Sequence, residues 1–294
     1  MGLNIKDVDA AKLSSKGFTI GRPLNSGSFA CVYAASYNGE PAAVKVIDLE
    51  KTSEDYRLKF LPRELYTMKK FKHPHLIQIL EIFSIGNTVM VFMELAEGGD
   101  FLDLLAETKA LPEEKAKYYY EQIGDALRYM HDRMYAHRDI KCENALLNKN
   151  RTQAKLTDFG FTRSCMERCS GNRVLSETFC GSAAYVAPEV LQGTLYNPLI
   201  SDVWSMGVVL YVLVQNRLPF DDRDNRTLLR CQMEREYKYY KKVSDQLKDL
   251  IHRHLNPNPA TRLNMNEVLA HEWLGIDPAS SSSLVTSKKV KSTI

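Results

Sequence analysis

Hydrophobic residues in the first hundred positions form short runs rich in β-branched and aromatic side chains, separated by residues that favour turns. The runs span residues 18–24, 30–37, 41–47, 77–85 and 88–94. Runs of this kind predict strands. Asn38-Gly39 predicts a tight hairpin because both residues accept positive φ, and Asn25-Ser26-Gly27-Ser28 predicts the turn after the first run. Helical spacing over residues 60–71 predicts one helix, with Pro62 in its first turn.

From Asp100 onward the apolar residues recur mostly at helical spacing, after the flexible link Glu97-Gly98-Gly99. Two amphipathic helices are predicted, one starting near Phe101 and one over residues 118–130. Residues 203–214 are apolar nearly all round, which predicts a buried core helix.

These patterns predict four segments of the chain. They are an N-terminal extension at 1–17, a β-rich lobe with its link at 18–96, a helical lobe at 97–275, and a tail at 276–294 rich in Ser and Lys that we expect to be disordered. The predicted fold class is α+β, with a small antiparallel sheet lobe carrying one main helix and a larger, mostly helical lobe. A cleft between two lobes is a natural place for a ligand.

Composition excludes few functions but narrows the partners. The chain has 294 residues and a formal net charge of +3, from 39 basic and 36 acidic side chains. This balance does not indicate nucleic acid binding. The apolar run at 208–214 is too short to span a bilayer, so we expect no membrane partner either. The six cysteines lack zinc-ligand spacing and no signal peptide is recognisable, which favours reduced thiols in the cytoplasm or nucleus.

The octapeptide at 137–144 carries the strongest chemical signal. Phosphoryl transfer needs a carboxylate that takes the hydroxyl proton, a cation near the transferred group and a metal ligand close by. Asp139, Lys141 and Asn144 supply these three groups within one short loop. The alternative for this octapeptide is a solvated, charged turn.

A second acidic motif, Asp158-Phe159-Gly160, follows that loop and can present its carboxylate to Mg²⁺. Upstream, Lys45 lies on the predicted third strand, where it can reach the nucleotide phosphates if a carboxylate holds it. Glu64, on the following helix, is the predicted partner. Taken singly, Lys45 and Glu64 are each compatible with solvated surface charges. Their order along the chain makes those alternatives improbable.

The segment between the first two strands is a candidate phosphate-binding loop. Its members are Leu24, Asn25, Ser26, Gly27, Ser28, Phe29, Ala30, Cys31 and Val32. Backbone amides in such a turn bind phosphate where no bulky side chain intervenes. Only Gly27 is glycine among three positions where that residue is usual, so the segment alone is compatible with an ordinary hairpin.

Together these motifs resemble the eukaryotic protein kinase family, over about residues 18–273. Three further stretches follow in the family's order. Ala187-Pro188-Glu189 resembles the end of the activation segment, Asp202 to Gly207 resembles the core helix that anchors the catalytic loop, and Arg262 resembles the arginine that pairs with Glu189. The resemblance implies the bilobal kinase fold, ATP as phosphate donor and Mg²⁺ as metal, with Mn²⁺ as a substitute. Asn144 and Asp158 are the implied metal ligands. Lys141 implies the serine/threonine branch, and protein hydroxyls as substrates.

The chain most resembles the testis-specific serine/threonine kinases, relatives of the calcium/calmodulin-dependent and AMP-activated groups. Four stretches carry this likeness: 60–64, 141–144, 178–185 and 187–193. Ala30 fits that subfamily, whereas Asn25 departs from it at a glycine position and puts nucleotide affinity in question. The resemblance implies a role in spermatogenesis.

The same resemblance implies the nucleotide site and the switch. Adenine would contact Val32, Ala43 and Leu146, bond the backbone from Glu94 to Ala96, and place its ribose near Asp100. The implied regulatory residues are Glu64, Arg138, Arg163 and Thr178. Phosphate on Thr178, added by an upstream kinase or by autophosphorylation, would pair with the two arginines. Ser176 is a weaker candidate for this modification.

Two alternatives to an active protein kinase follow from the same residues. One is a pseudokinase, a scaffold that binds partners without turnover. It is disfavoured because Lys45, Glu64, Asp139, Asn144 and Asp158 are all present. The other is a small-molecule kinase, which the segment ending at residues 187–189 disfavours.

Overall fold

A computed structural model describes residues 13–26, 30–51, 69–159, 162–165, 175–176 and 182–275. Five strands form one antiparallel sheet in the order β1-β2-β3-β5-β4. Their bounds are β1 Phe18–Ser26, β2 Ala30–Tyr37, β3 Glu40–Asp48, β4 Ile79–Ile85 and β5 Thr88–Glu94. The five predicted strands are confirmed, each within about two residues. The predicted helix at 60–71 lies almost entirely outside the described residues.

Alternation along the strands gives the sheet two distinct faces. One face packs into a core that includes Phe18, Tyr33, Val44, Val46 and Phe92. The rings of Phe18 and Phe92 lie 4.2 Å apart, within the range of favourable aromatic pairs. Residues between these positions point to the opposite face of the sheet, which does not contribute to this core.

Strand β1 extends two residues beyond its predicted end at residue 24. Asn25 and Ser26 still belong to β1 and pair with Val32 and Cys31. Register shifts on both sides of Pro23 add length to β1 at this point. Proline is tolerated here because β1 is an edge strand and Pro23 needs no partner for a missing N–H.

A second hairpin belongs to the same unit although it lies far along the chain. Strands β7 (Ala145–Leu147) and β8 (Ala154–Leu156) pair antiparallel. The amide of Ile77 donates to the carbonyl of Leu156 at 2.8 Å, which ties the hairpin to the segment before β4. Residues that follow β8 are thereby placed beside the sheet.

The second unit is mostly helical. Its α-helices are α1 Phe101–Thr108, α2 Glu113–His131, α3 Pro188–Leu191, α4 Pro198–Gln215, α5 Asn225–Glu234, α6 Asp245–His254 and α7 Met265–Leu269. Two short strands, β6 (Tyr135–Ala136) and β9 (Arg163–Ser164), pair antiparallel within it.

Helix α4 is the core of this unit, as the sequence predicts. Its length and hydropathy would allow a membrane span, but 89% of it is buried against the rest of the protein. Asn197 caps the first turn by accepting from the amide of Leu199, and Pro198 starts the helix. At Gly207 a Cβ atom would lie 2.3 Å from Cβ of His254, so α4 and α6 pack too closely there for any side chain.

The contacts divide the chain into these two compact units. The first contains residues up to Asp100 together with Ala145–Thr162, and the second contains Phe101–Asn144 and the chain from Arg163 onward. The boundary predicted at 96/97 stays a prediction, as do the N-terminal extension and the tail.

Candidate active site

One face of the sheet carries residues predicted to bind nucleotide. Val32 and Lys45 are directly opposite each other on β2 and β3, and Ala43 lies two residues before Lys45. These three residues alternate with the core residues Tyr33, Val44 and Val46. The face away from the core therefore presents small apolar side chains next to one ammonium group.

The ammonium of Lys45 has a carboxylate partner in the same unit. Its Nζ lies 2.5 Å from Oδ1 of Asp158, and the two side chains are 22% and 33% exposed. Asp158 has a φ of 59°, a left-handed conformation that is uncommon for a residue with a side chain. Strained backbone of this kind clusters at functional sites. The sequence-predicted partner Glu64 lies outside the described residues.

The segment after β5 is fastened by side chains that the sequence analysis did not single out. Oε1 of Glu94 lies 2.5 Å from Nζ of Lys155 on β8. The Nε of Arg151 donates to the carbonyl of Gly98 at 3.0 Å. A Cβ on Gly98 would lie 2.2 Å from the carbonyl oxygen of Asn148, so only glycine fits. These contacts hold residues 94–98 against the β7–β8 hairpin.

The same hairpin positions two more predicted nucleotide contacts. Leu146 on β7 forms a β-bridge with Asp100. The amide of Leu147 donates to the carbonyl of Gly99 at 2.8 Å. Within the described part of the chain Ala96 makes no hydrogen bond, so its backbone groups remain available to a ligand.

The helical unit brings together the three residues of the predicted catalytic loop. The Nδ2 of Asn144 donates to Oδ2 and to the carbonyl of Asp139, each at 2.8 Å. The Nζ of Lys141 lies 3.2 Å from Oδ2 of Asp139 and donates to Oγ of Ser182 at 3.0 Å. The carboxylate of Asp139 is thus aimed by an amide and charge-paired with an ammonium group.

A buried aspartate on α4 holds the backbone of this loop. Asp202 is 2% exposed, and its two carboxylate oxygens accept from the amides of His137 and Arg138 at 2.8 Å. His131 on α2 contacts the same carboxylate at 2.9 Å. Arg138 has a φ of 69°, and the paired amides stabilise this strained residue. The sequence-predicted anchoring of the loop by this helix is confirmed.

A buried ion pair links α3 to the segment before α7. Glu189 on α3 and Arg262 form two parallel hydrogen bonds of 2.7 and 2.8 Å. Their side chains are 8% and 0% exposed. Arg262 also donates to the carbonyls of Asn256 and Ile200, so its guanidinium is well satisfied. The resemblance to the kinase family predicts that these two residues pair, and the structure shows the pair.

Some predicted site residues cannot be placed. Gly27, Ser28, Phe29, Gly160 and Thr178 lie outside the described residues. The backbone of Arg163 pairs with Ala136 across β6 and β9, two residues before Arg138. The predicted approach of Arg163 to Arg138 stays a prediction.

The Lys155–Glu94 and Arg151–Gly98 contacts escaped the sequence analysis because neither pair has a motif. Lys155 lies on a short strand, where a lysine in the sequence indicates a side chain that faces solvent. Its contact with Glu94 depends on where the β7–β8 hairpin lies, which sequence spacing does not specify.

Comparison with known proteins agrees with this geometry. Residues 18–274 match the protein kinase domain, so the chain belongs to the protein kinase family. It is 43% identical over 274 residues to testis-specific serine/threonine-protein kinase 2 of Mus musculus, covering 90% of this chain and 75% of that relative.

Two further relatives define the class more narrowly. Testis-specific serine/threonine-protein kinase 3 of Homo sapiens is 41% identical over 89% of this chain and 97% of the relative. CBL-interacting serine/threonine-protein kinase 9 of Arabidopsis thaliana is 37% identical over 92% of this chain and 61% of the relative. The chain is a serine/threonine protein kinase by family.

Proposed function

We propose that this chain is an active enzyme that transfers the γ-phosphate of ATP to serine and threonine hydroxyls of proteins. The observation that carries the proposal is the Asp139 carboxylate, which Asn144 and Lys141 hold within one loop. A scaffold that has lost turnover has no need to preserve this arrangement.

ATP fits the residues of the first unit. Lys45 supplies a cation for the phosphates, and the apolar face formed by Val32 and Ala43 suits a planar base. Ala96 supplies a backbone amide for the base edge. The bridge between Leu146 and Asp100 places a further apolar side chain and a carboxylate in the same unit.

The implied metal is Mg²⁺, with Mn²⁺ as a substitute, and the donor set fits it. Asp158 supplies carboxylate oxygen, and Asn144 uses its Nδ2 on Asp139, which leaves its Oδ1 as an acceptor. Hard cations of this kind prefer oxygen ligands. Asp158 and Asn144 are each suited to hold such a metal, which when bound would neutralise charge that develops on the phosphates.

The proposed mechanism assigns separate roles to the loop residues. Asp139 accepts the proton of the incoming hydroxyl, because its carboxylate is held in one orientation by the Asn144 amide. Lys141 balances charge beside that carboxylate and contacts Ser182. Lys45, paired with Asp158, orients the phosphates.

One assay tests the proposal. Purified protein is incubated with labelled ATP, Mg²⁺ and a generic basic protein, beside the Asp158→Asn variant. We expect label on the substrate with the first and none with the second. Absence of transfer by either, with Thr178 phosphorylated, supports the scaffold instead.

We propose further that phosphorylation of Thr178 raises activity. Arg138 and Arg163 supply the cations, and the backbone of Arg163 lies beside the loop through its pairing with Ala136. The comparison is made between the phosphorylated protein, the dephosphorylated protein and Thr178→Ala. Full activity of Thr178→Ala in a phosphate-free preparation overturns this regulation.

The substrate preference and setting are also proposals. Glu143 supplies a carboxylate within the catalytic loop, which favours a basic residue N-terminal to the phosphorylated position. Two of the relatives are named as testis-specific kinases, so we propose a role for this kinase in spermatogenesis, in the cytoplasm or nucleus of germ cells.

A further inference from the structure

The segment between α5 and α6 has no regular secondary structure. Side chains of helix α4 nevertheless hold the backbone of this segment through hydrogen bonds. Gln215 is 2% exposed, and its Oε1 accepts from the amides of Tyr240 and Lys241 at 2.8 and 2.9 Å. Its Nε2 donates to the carbonyl of Lys241 at 3.2 Å. Four residues earlier on α4, the hydroxyl of Tyr211 donates to the carbonyl of Lys238.

Aromatic packing against α4 and Phe220 also holds this segment in place. Tyr237 and Tyr239 contact the ring of Tyr211, with centroids 6.0 and 5.8 Å apart. Tyr237 also packs edge-on against Phe220 at 5.7 Å. Burial raises the pKa of Tyr237 and Tyr239. The residues between these anchors are consequently turned outward.

The outward residues form a cationic surface. It consists of Arg217, Lys238, Tyr240, Lys241 and Lys242, which we call the basic surface. Tyr240 is 63% exposed, and the guanidinium of Arg217 lies 4.0 Å from its ring centre. Stacking of this kind holds a planar cation in place.

The charge on the basic surface is only partly balanced by its neighbours. None of its four cations forms an ion pair within the part of the chain that the structure describes. Asp245 follows nearby, and its hydrogen bond to Lys248 at 2.7 Å and, more weakly, the charge of Lys242 lower the pKa of its carboxyl. Four cations on a backbone that is already ordered form a binding surface with a reduced entropic cost of ordering.

We propose that the basic surface binds an acidic segment of a protein substrate, so this inference rests on the proposed function. Charge complementarity favours carboxylates spaced along an extended chain, each within reach of one cation. Stable membrane anchoring requires an inserted apolar group as well as cations, and Tyr240 is the one aromatic side chain of this surface. The formal net charge of +3 is too small to favour nucleic acid.

Direct binding is measured first, with a labelled peptide of twelve residues rich in Asp and Glu. Its anisotropy is followed on titration with the full chain and with the K238E/K241E/K242E variant. We expect affinity to fall roughly ten-fold or more in the variant, since three attractive charge pairs become repulsive. The neutral variant K238Q/K241Q/K242Q should lie between the two.

A matched control keeps the same net charge. The K70E/K109E/R226E variant reverses three exposed cations elsewhere, and we expect it to bind the peptide like the unaltered chain. Equal losses in both reversal variants overturn the proposal, because the effect is then one of net charge. Preferential binding to phosphatidylserine vesicles or to poly(U) over the peptide also overturns it.

Kinetics link the surface to catalysis. One serine peptide is compared with the same peptide carrying the acidic segment through a flexible Gly-Ser linker. We expect a lower KM for the extended peptide at unchanged kcat, and loss of that difference in K238E/K241E/K242E. If the plain peptide is phosphorylated equally by both proteins but the extension has no effect, the inference fails and the proposed function stands. If neither peptide is phosphorylated, the proposed function fails, and the binding titration still decides the surface.

Discussion

The ammonium of Lys45 and the carboxylate of Asp158 lie 2.5 Å apart although 113 positions separate them along the chain. Lys45 lies in the middle of β3, and Asp158 lies two residues beyond β8. The five-stranded sheet therefore positions the lysine, and the β7–β8 hairpin positions the aspartate. The pair is partly exposed and polar on a face that is otherwise apolar. A site prepared for phosphate and metal has this composition.

Loss of either partner should abolish phosphoryl transfer without unfolding the protein. We expect Lys45→Met and Asp158→Asn each to lower kcat/KM by at least about 100-fold, as removal of one transition-state contact does in other enzymes. Activity is measured with labelled ATP, and thermal unfolding is followed in parallel. The exposed change Lys70→Met is the control. An active Asp158→Asn enzyme with unaltered kinetics contradicts the assignment.

Asn144 should matter through the carboxylate that it orients. Asn144→Ala removes two donations to Asp139 and one proposed metal ligand, so we expect kcat to fall at least about 100-fold. Asn87→Ala, at an exposed turn, should leave kcat within a factor of two or so. A wild-type kcat for Asn144→Ala at saturating Mg²⁺ would show that Asp139 needs no support from it.

The Glu189–Arg262 pair should govern stability rather than turnover. Arg262→Ala leaves a buried carboxylate without its partner, which costs about 3–5 kcal/mol of unfolding free energy. The surface pair of Arg253 and Asp249 supplies the comparison, since Arg253→Ala should cost under about 1 kcal/mol. Urea unfolding measures both values. Similar losses for the two variants contradict the burial argument.

His254 predicts a loss of stability in mild acid. Its Nδ1 donates to the carbonyl of Val203 at 2.7 Å, and its Nε2 accepts from the hydroxyl of Tyr120 at 2.6 Å, so the ring is neutral. Burial lowers its pKa from the ordinary value of 6.5 to about 4. Between these values the unfolded chain binds a proton that the folded chain does not.

The unfolding free energy therefore falls as the pH drops from 6.5 towards 4, by up to about 1.4 kcal/mol per pH unit. His254→Gln keeps a donor but cannot titrate, so its stability should depend less on pH in this window. Urea titrations at several pH values measure both slopes. Equal slopes for the two proteins would assign the acid sensitivity to other groups.

Sequence patterns predict the strands and the core helix well because each has a strong period. Residues 30–37 and 88–94 were predicted with the bounds that the structure gives, and α4, which runs from Pro198 to Gln215, begins five residues before the predicted 203–214 and ends one residue after it. The catalytic loop was also recognisable, since its groups lie within one octapeptide.

Contacts between distant segments were not predictable in the same way. The pairing of Lys45 with Asp158 and of Lys155 with Glu94 depends on where the β7–β8 hairpin lies. The register of β1 against β2 shifts on both sides of Pro23, which strand propensity does not predict. Neither effect leaves a local signal, because the partners are chosen by tertiary packing.

The chain passes from one compact unit to the other at residues 100/101, 144/145 and 162/163. A fragment ending at residue 100 would therefore carry Lys45 but lack the strands that bring Asp158 to it. Likewise, the peptide bond after Asn144 is the crossing itself, so the last residue of the catalytic loop is covalently adjacent to the first residue of β7. Neither unit of this kinase is formed by one continuous stretch of the chain. Expressing the N-terminal and C-terminal parts of the sequence separately would therefore split both units.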